Sequence, residues 1–208
     1  MIELDKDGDL WVVRINRQDK ANSLTGAMLA QLADTAERAT GAGAKALILT
    51  AKGRVFSAGA DLDEARAGLA TSPVWERLSA AIAAFPGLSV AALNGTLAGG
   101  AFGMALACDI RVAVASAKFF YPVMKLGFLP QPSDPARLAD LVGPARAKLI
   151  LMAGQKIDAS EALDWGLIDR IVPEETLAET ARDLCADVVA ASMDHAAGIK
   201  SLVRIPVR

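Results

Sequence analysis

Two short stretches carry the pattern from which chemistry could be built, and neither depends on a reactive side chain. "FSAGADLDEA" (Phe56 to Ala65) and "LAGGAFGMAL" (Leu97 to Leu106) each leave a strand-like segment and open a helix-like one through small residues. The first turn of a helix has backbone N–H groups with no partner inside the helix, and the helix dipole adds partial positive charge there. Such ends hold negative charge. If the fold brings the two stretches together, the N–H of Ala60 and the N–H of Gly100 can point at one oxygen. A backbone pair of this kind stabilises an oxyanion, and losing one donor typically costs about 3 kcal/mol of transition-state stabilisation. Asp61 is placed to cap the first helix. The competing reading is that both stretches are tight strand–helix turns whose glycines serve geometry alone.

Other candidates for chemistry fail on context. "GAGAKA" (Gly41 to Ala46) satisfies a loose dinucleotide pattern but follows a helix and precedes a strand, the reverse of what a phosphate-binding turn needs. "DKDGDL" (Asp5 to Leu10) has its glycine too early for a calcium loop and reads as a hairpin turn. The single histidine, His195, lies in a polar helical stretch and reads as solvent-facing. With one histidine and two isolated cysteines, the sequence offers no metal site.

The elements that must position the two loops follow from periodicity. "LWVVRIN" alternates as a strand, and Met28, Leu29, Leu32, Ala33 and Ala36 share one face of a helix that Gly41 to Gly43 end. "KALILT" is a strand of the buried kind, "VWERLSAAIAAF" an amphipathic helix, and "SVAALN" and "DIRVAVAS" further strands. Strand and helix alternate, which predicts an α/β layered architecture. Beyond Arg137 the chain reads as helical, including "DASEALDWGLIDRIV" and "EETLAETARDLCADVVAASM".

Composition narrows the class. The chain has 208 residues, 53% hydrophobic and 22% charged, enough for one sizeable core. A net charge of -2 with interspersed signs argues against nucleic acid as a partner. No apolar run is long enough to span a bilayer, and the N-terminus lacks a signal-peptide core. Cys108 and Cys185 sit in apolar surroundings far apart in sequence, so buried reduced thiols and a cytoplasmic location are expected.

"RQDKANSLT", "FSAGADL", "NGTLAGGAFGMALACDIRVA" and "GQKIDASEALDWGLIDRIVP", in this order and spacing, resemble the enoyl-CoA hydratase/isomerase (crotonase) superfamily. The resemblance implies a crotonase-like spiral of repeated strand–strand–helix units over residues 1–140. A helical C-terminal region over 141–208, shorter than usual for the family, would follow it. It also implies a homotrimer or homohexamer, and an acyl-CoA thioester as substrate with no further cofactor. The shared chemistry is stabilisation of a thioester enolate, and by motif the two donors fall on Ala60 and Gly100. Coenzyme A would be held by Ala58 to Asp63, with Ala58, Ala60, Asp61, Leu62 and Asp63 as contacts, and by Lys20, Ala21 and Asn22. Lys20 is placed to meet a CoA phosphate or to remain a solvated surface lysine.

The same resemblance exposes two departures. Hydratases of the family carry two glutamates that activate water and protonate the α-carbon; their positions here are Gly103 and Val123. Neither can transfer a proton, and general acid–base help commonly supplies about 10² to 10⁴ in rate. Isomerisation, decarboxylation or thioester hydrolysis are therefore expected ahead of hydration, with a degenerate member that binds without turnover as the alternative. In place of the family's glycine-rich turn the chain has "PQPSDPARL", which makes Gln131 and Asp134 candidate polar groups beside Tyr121 and Asp63. Asp134 is the candidate base, and each of the four is otherwise a solvated loop residue.

Overall fold

The architecture was obtained as a computed structural model, and it describes residues 1–203. Strands β1 (Ile2–Asp7) and β2 (Leu10–Ile15) form an antiparallel hairpin. Gly8, in the left-handed region at φ 57°, makes its turn. Helix α1 (Gly26–Gly41) follows, its first turn capped by the Thr25 side chain, which accepts from the Met28 N–H at 3.2 Å. The face read from the sequence, Met28, Leu29, Leu32, Ala33 and Ala36, is the buried one.

Three strand–strand turns come next. β3 (Ala46–Ala51) leads to β4 (Val55–Ser57), then to short helix α2 (Leu62–Arg66) and to α3 (Val74–Ala83). β5 (Leu88–Leu93) leads to β6 (Thr96–Ala98) and, through a 3-10 turn at Gly99–Ala101, to α4 (Phe102–Ala107). β7 (Ile110–Val114) leads to β8 (Lys118–Phe120) and α5 (Val123–Leu126). The longer member of each pair joins one sheet and the shorter joins a second. The two sheets run β1-β2-β3-β5-β7 with a sixth strand, and β4-β6-β8 with a fourth. From β2 onward the large sheet is parallel, so its strands are buried on both faces and read as continuous apolar runs. Phe56, Phe85, Phe102 and Phe119 are fully buried between the layers.

The chain closes with α6 (Asp134–Val142), α7 (Pro144–Leu151), β9 (Ile157–Asp158), α8 (Ala159–Trp165), β10 (Arg170–Val172), α9 (Leu177–Asp183), α10 (Ala186–Ala190) and α11 (Met193–Val203). The tail is mainly helical, as its sequence suggested, and it also carries two short strands. β9 pairs antiparallel with β8 and β10 parallel with β7, so the tail returns a strand to each sheet. Both strands are only two or three residues long, too short for a period-2 pattern to register. Two cations, one buried and one half-buried, hold the tail down. Arg111, 4% exposed, donates to the Leu167 carbonyl at 2.9 Å, the Cys108 carbonyl at 2.6 Å and the Asp169 carboxylate at 3.3 Å. Lys200 of α11 donates to the Phe85 and Gly87 carbonyls and to Asp109.

Both cysteines are free and buried, and burial pushes the Cys108 thiol up to about 12 and the Cys185 thiol up to about 11. His195 is exposed on α11. Among the described residues no helix is long and apolar enough to cross a membrane, and no group of three or more potential ligands gathers around a metal position.

Candidate active site

The two loops singled out in the sequence meet. β4 and β6 are parallel neighbours, so the chain leaves both in the same direction and the loops after them lie against each other. Gly59 (φ 92°) faces Ala98 and Gly99 so closely that a Cβ on it would stand 2.9 Å from the Ala98 carbonyl oxygen. Gly99 (φ 57°) faces the Gly59 Cα in return. Only glycine suits both the dihedral and the approach.

The first loop is sewn to the segment before α1. Leu24 N–H donates to the Gly59 carbonyl and Asp61 N–H to the Leu24 carbonyl, each at 2.8 Å. Ala60 lies between these bonds, and its own N–H has no partner among the described residues. Gly100 sits in the first turn of the 3-10 segment, where N–H groups have no intrahelical acceptor. Ala60 and Gly100 border the same cavity of about 110 Å³, together with Ala58, Leu62, Trp75, Tyr121, Val123 and Gln131. No acidic or basic side chain lines it. A backbone donor beside an apolar hollow acts more strongly on negative charge than it would in bulk water.

The expected coenzyme-binding residues fall into two groups. Ala58, Ala60, Leu62 and Gly100 line the cavity. Ala21, Asn22, Asp61 and Asp63 do not. Asn22 is buried, donating to the Lys52 and Val55 carbonyls at 2.8 and 2.6 Å and accepting from the Arg17 N–H at 2.7 Å. Ala21 and Asn22 both adopt positive φ, and the Ala21 carbonyl accepts from the Ala58 N–H. The Asp61 side chain caps α2 and receives the Arg17 guanidinium at 2.8 Å, which holds its carboxyl below the usual range. These side chains and backbone bonds shape the loop. The Asp63 side chain is 93% exposed and pairs with Arg66, directed away from the cavity. Lys20 is exposed at the end of a 3-10 turn.

Trp75 escaped the sequence reading. Its indole N–H donates to the Leu69 carbonyl at 2.8 Å, and its ring packs so close to Gly100 that a Cβ there would lie 3.3 Å from it. The available signal was an aromatic on the buried face of a helix that must pack beside the glycine loop.

The two positions where the resemblance leads one to expect acids are informative. Val123 opens α5, buried at the cavity wall. Gly103 lies in the first turn of α4, and a Cβ on it would stand 2.8 Å from Oδ1 of Asp134. Asp134, expected in a loop, is the first residue of α6, followed at once by Pro135, and is 1% exposed. The Tyr121 hydroxyl donates to its Oδ2 at 2.9 Å, and Oδ1 has no partner. The Gln131 N–H donates to the Tyr121 oxygen at 3.4 Å, and the Gln131 side chain donates to the Ala70 carbonyl. Glu76 stands near by, accepting from the N–H and hydroxyl of Ser133.

Burial pushes the Asp134 carboxyl up to about 7; the Tyr121 hydrogen bond opposes the rise, the Glu76 charge adds to it and Arg137 opposes it. Burial, followed by the Asp134 charge, raises the Tyr121 phenol further above its ordinary range. A folded value of about 7 against an ordinary 3.8 means that the folded state holds the proton longer than the unfolded one. The stability from this group is complete below about 3.8 and is lost as pH rises through about 7. Denaturant titrations of wild type and Asp134→Asn are therefore expected to diverge between about pH 4 and pH 8, the wild type losing a few kcal/mol relative to the variant. Parallel curves would show that Asp134 is not held neutral.

Comparison with known proteins agrees with this architecture. The enoyl-CoA hydratase/isomerase family model matches residues 5–208. The chain is 33% identical to 1,2-epoxyphenylacetyl-CoA isomerase of Escherichia coli over 84% of its own length and 71% of the relative's. It is 34% identical to the short-chain-enoyl-CoA hydratase of Clostridium acetobutylicum over 89% of its own length and 74% of that protein's. The crystal structure of an enoyl-CoA hydratase/isomerase from Pseudoalteromonas atlantica superposes with a TM-score of 0.90 at 30% identity, covering 97% of this chain and 82% of that one. The chain belongs to the enoyl-CoA hydratase/isomerase (crotonase) family.

Proposed function

We propose that this protein acts on an acyl-CoA thioester by stabilising its enolate between the N–H groups of Ala60 and Gly100, in a reaction that does not add water. The observation that carries this reading is the pairing of two unbonded backbone donors with a cavity that no carboxylate lines. Hydration by the family's two-glutamate route needs carboxylates that can position and split water, and Gly103 and Val123 stand in their places. Loss of CO₂ from a malonyl-type thioester creates the enolate without any base, so the oxyanion donors carry most of the catalysis. Isomerisation uses the same enolate and needs one proton-handling group in place of two. The apolar wall formed by Trp75, Val123, Leu126 and Phe128 suits an acyl chain, and Ala58 and Leu62 lie at the coenzyme end of the loop.

The test is a mass-spectrometric turnover assay of purified protein on crotonyl-CoA and, separately, malonyl-CoA. Decarboxylation with crotonyl-CoA left unhydrated is the expected result. Addition of water to crotonyl-CoA would overturn the reading. Tight acyl-CoA binding with no turnover of either would favour a binding role.

A further inference from the structure

Asp134 occupies space that a side chain at position 103 would otherwise need. Gly103 follows Gly100 by three residues across the 3-10 turn and the start of α4, and residues at that spacing lie on one face. The Asp134 carboxylate thus sits on the face of this helix that carries the Gly100 donor, yet it is supplied by α6. Its Oδ1 is buried with no partner among the described residues, and its Oδ2 accepts from the hydroxyl of Tyr121, a residue of the cavity lining. A buried carboxyl oxygen left without a partner is costly for stability alone. An acid beside the enolate site, reaching it through a phenol, has a use for that cost.

We propose that Tyr121 and Asp134 form the proton relay of this site, with Tyr121 as the catalytic residue that meets the substrate and Asp134 as the positioning residue that stores the proton behind it. The proposal rests on the enolate reading above. In the forward sense, the Tyr121 O–H bond breaks as a C–H bond forms at the enolate α-carbon. With Asp134 protonated, its Oδ2–H donates to the phenol oxygen and the Tyr121 O–H turns to the enolate. As the phenol proton leaves, the Oδ2 proton moves to the phenol oxygen, leaving Tyr121 neutral and Asp134 as the carboxylate to which the hydroxyl then donates. Asp134 recovers a proton from solvent once product leaves. In the reverse sense, the carboxylate draws the phenol proton while the phenol oxygen takes one from the α-carbon, so tyrosinate never accumulates. The Gln131 N–H, 3.4 Å from the phenol oxygen, steadies it during the exchange. The charged groups facing the pair are Glu76 from α3 and Arg137 from α6, and Gly103 of α4 adds none.

The test is α-proton exchange of butyryl-CoA in D₂O, followed by mass spectrometry for wild type, Tyr121→Phe and Asp134→Asn, with butyryl-CoA affinity measured by calorimetry on the same samples. Wild type is expected to deuterate the α-carbon. Tyr121→Phe is expected to lose about 10²-fold or more in exchange rate, with affinity changed by less than about threefold. The wild-type rate rises as pH passes through about 7, where Asp134 becomes the carboxylate that draws the proton, and Asp134→Asn removes that step. Asparagine keeps an acceptor for the phenol, so near-UV circular dichroism is expected to match wild type and a lost pH step cannot be read as misfolding. Exchange by Tyr121→Phe at the wild-type rate overturns the relay, as does a wild type that binds butyryl-CoA but never exchanges. Failure to bind butyryl-CoA at all overturns the acyl-CoA reading beneath it.

Discussion

Ala60→Pro is expected to lower turnover about 10²- to 10³-fold with no comparable loss of acyl-CoA affinity. Proline deletes an N–H that has no partner among the described residues, and it deletes no bond that the fold uses. The flanking bonds, Leu24 N–H to the Gly59 carbonyl and Asp61 N–H to the Leu24 carbonyl, do not involve the Ala60 nitrogen. Ala60 pairs in an extended bridge with Leu24 and directly precedes Asp61, the cap of α2. A thermal midpoint close to wild type, with a turnover that collapses, isolates the donor from the fold. Unchanged turnover would mean that the negative charge develops elsewhere. Gly100 is the poorer place for this test, because the Trp75 ring 3.3 Å from its would-be Cβ adds a packing penalty to any substitution.

Introducing a glutamate at position 103 alone is expected to damage the protein. Gly103→Glu drives a Cβ to within 2.8 Å of Asp134 Oδ1 and buries a second carboxylate beside the first. Overpacking alone costs roughly 1–3 kcal/mol, and an unpaired buried charge adds to it. Combining Gly103→Glu with Asp134→Gly vacates the space and removes the like charge. The double variant is expected to recover about 1–3 kcal/mol relative to the sum of the two single changes. Denaturant unfolding of the four proteins closes the cycle. Strict additivity would show that the two positions do not share space.

The architecture was legible wherever burial imposes a period on a long element. α1 showed its apolar face, and β2, β3, β5 and β7 showed as runs dense in valine, leucine, isoleucine and alanine. The glycine loops were legible because close approach and positive φ exclude other residues, as Gly59 and Gly99 illustrate. β9 and β10 were not, since strands that short are set by the edges they join. The supports of the first loop were legible only in part: Asp61 showed as the cap of α2, but its pairing with Arg17, and the burial of Asn22 on the Lys52 and Val55 carbonyls, depend on segments distant in sequence. Gly103 marked a missing side chain, but nothing local indicated that a carboxylate from α6 stands beside it. Such a contact exists only once α4 and α6 are packed together.

The closeness of Gly103 and Asp134 also bears on descent. A lineage that holds aspartate at 134 meets a barrier on the way to glutamate at 103, because each single step passes through either two crowded carboxylates or none. The present arrangement therefore behaves as a ratchet: moving the carboxylate from α6 to α4 crosses a valley that two substitutions must cross together.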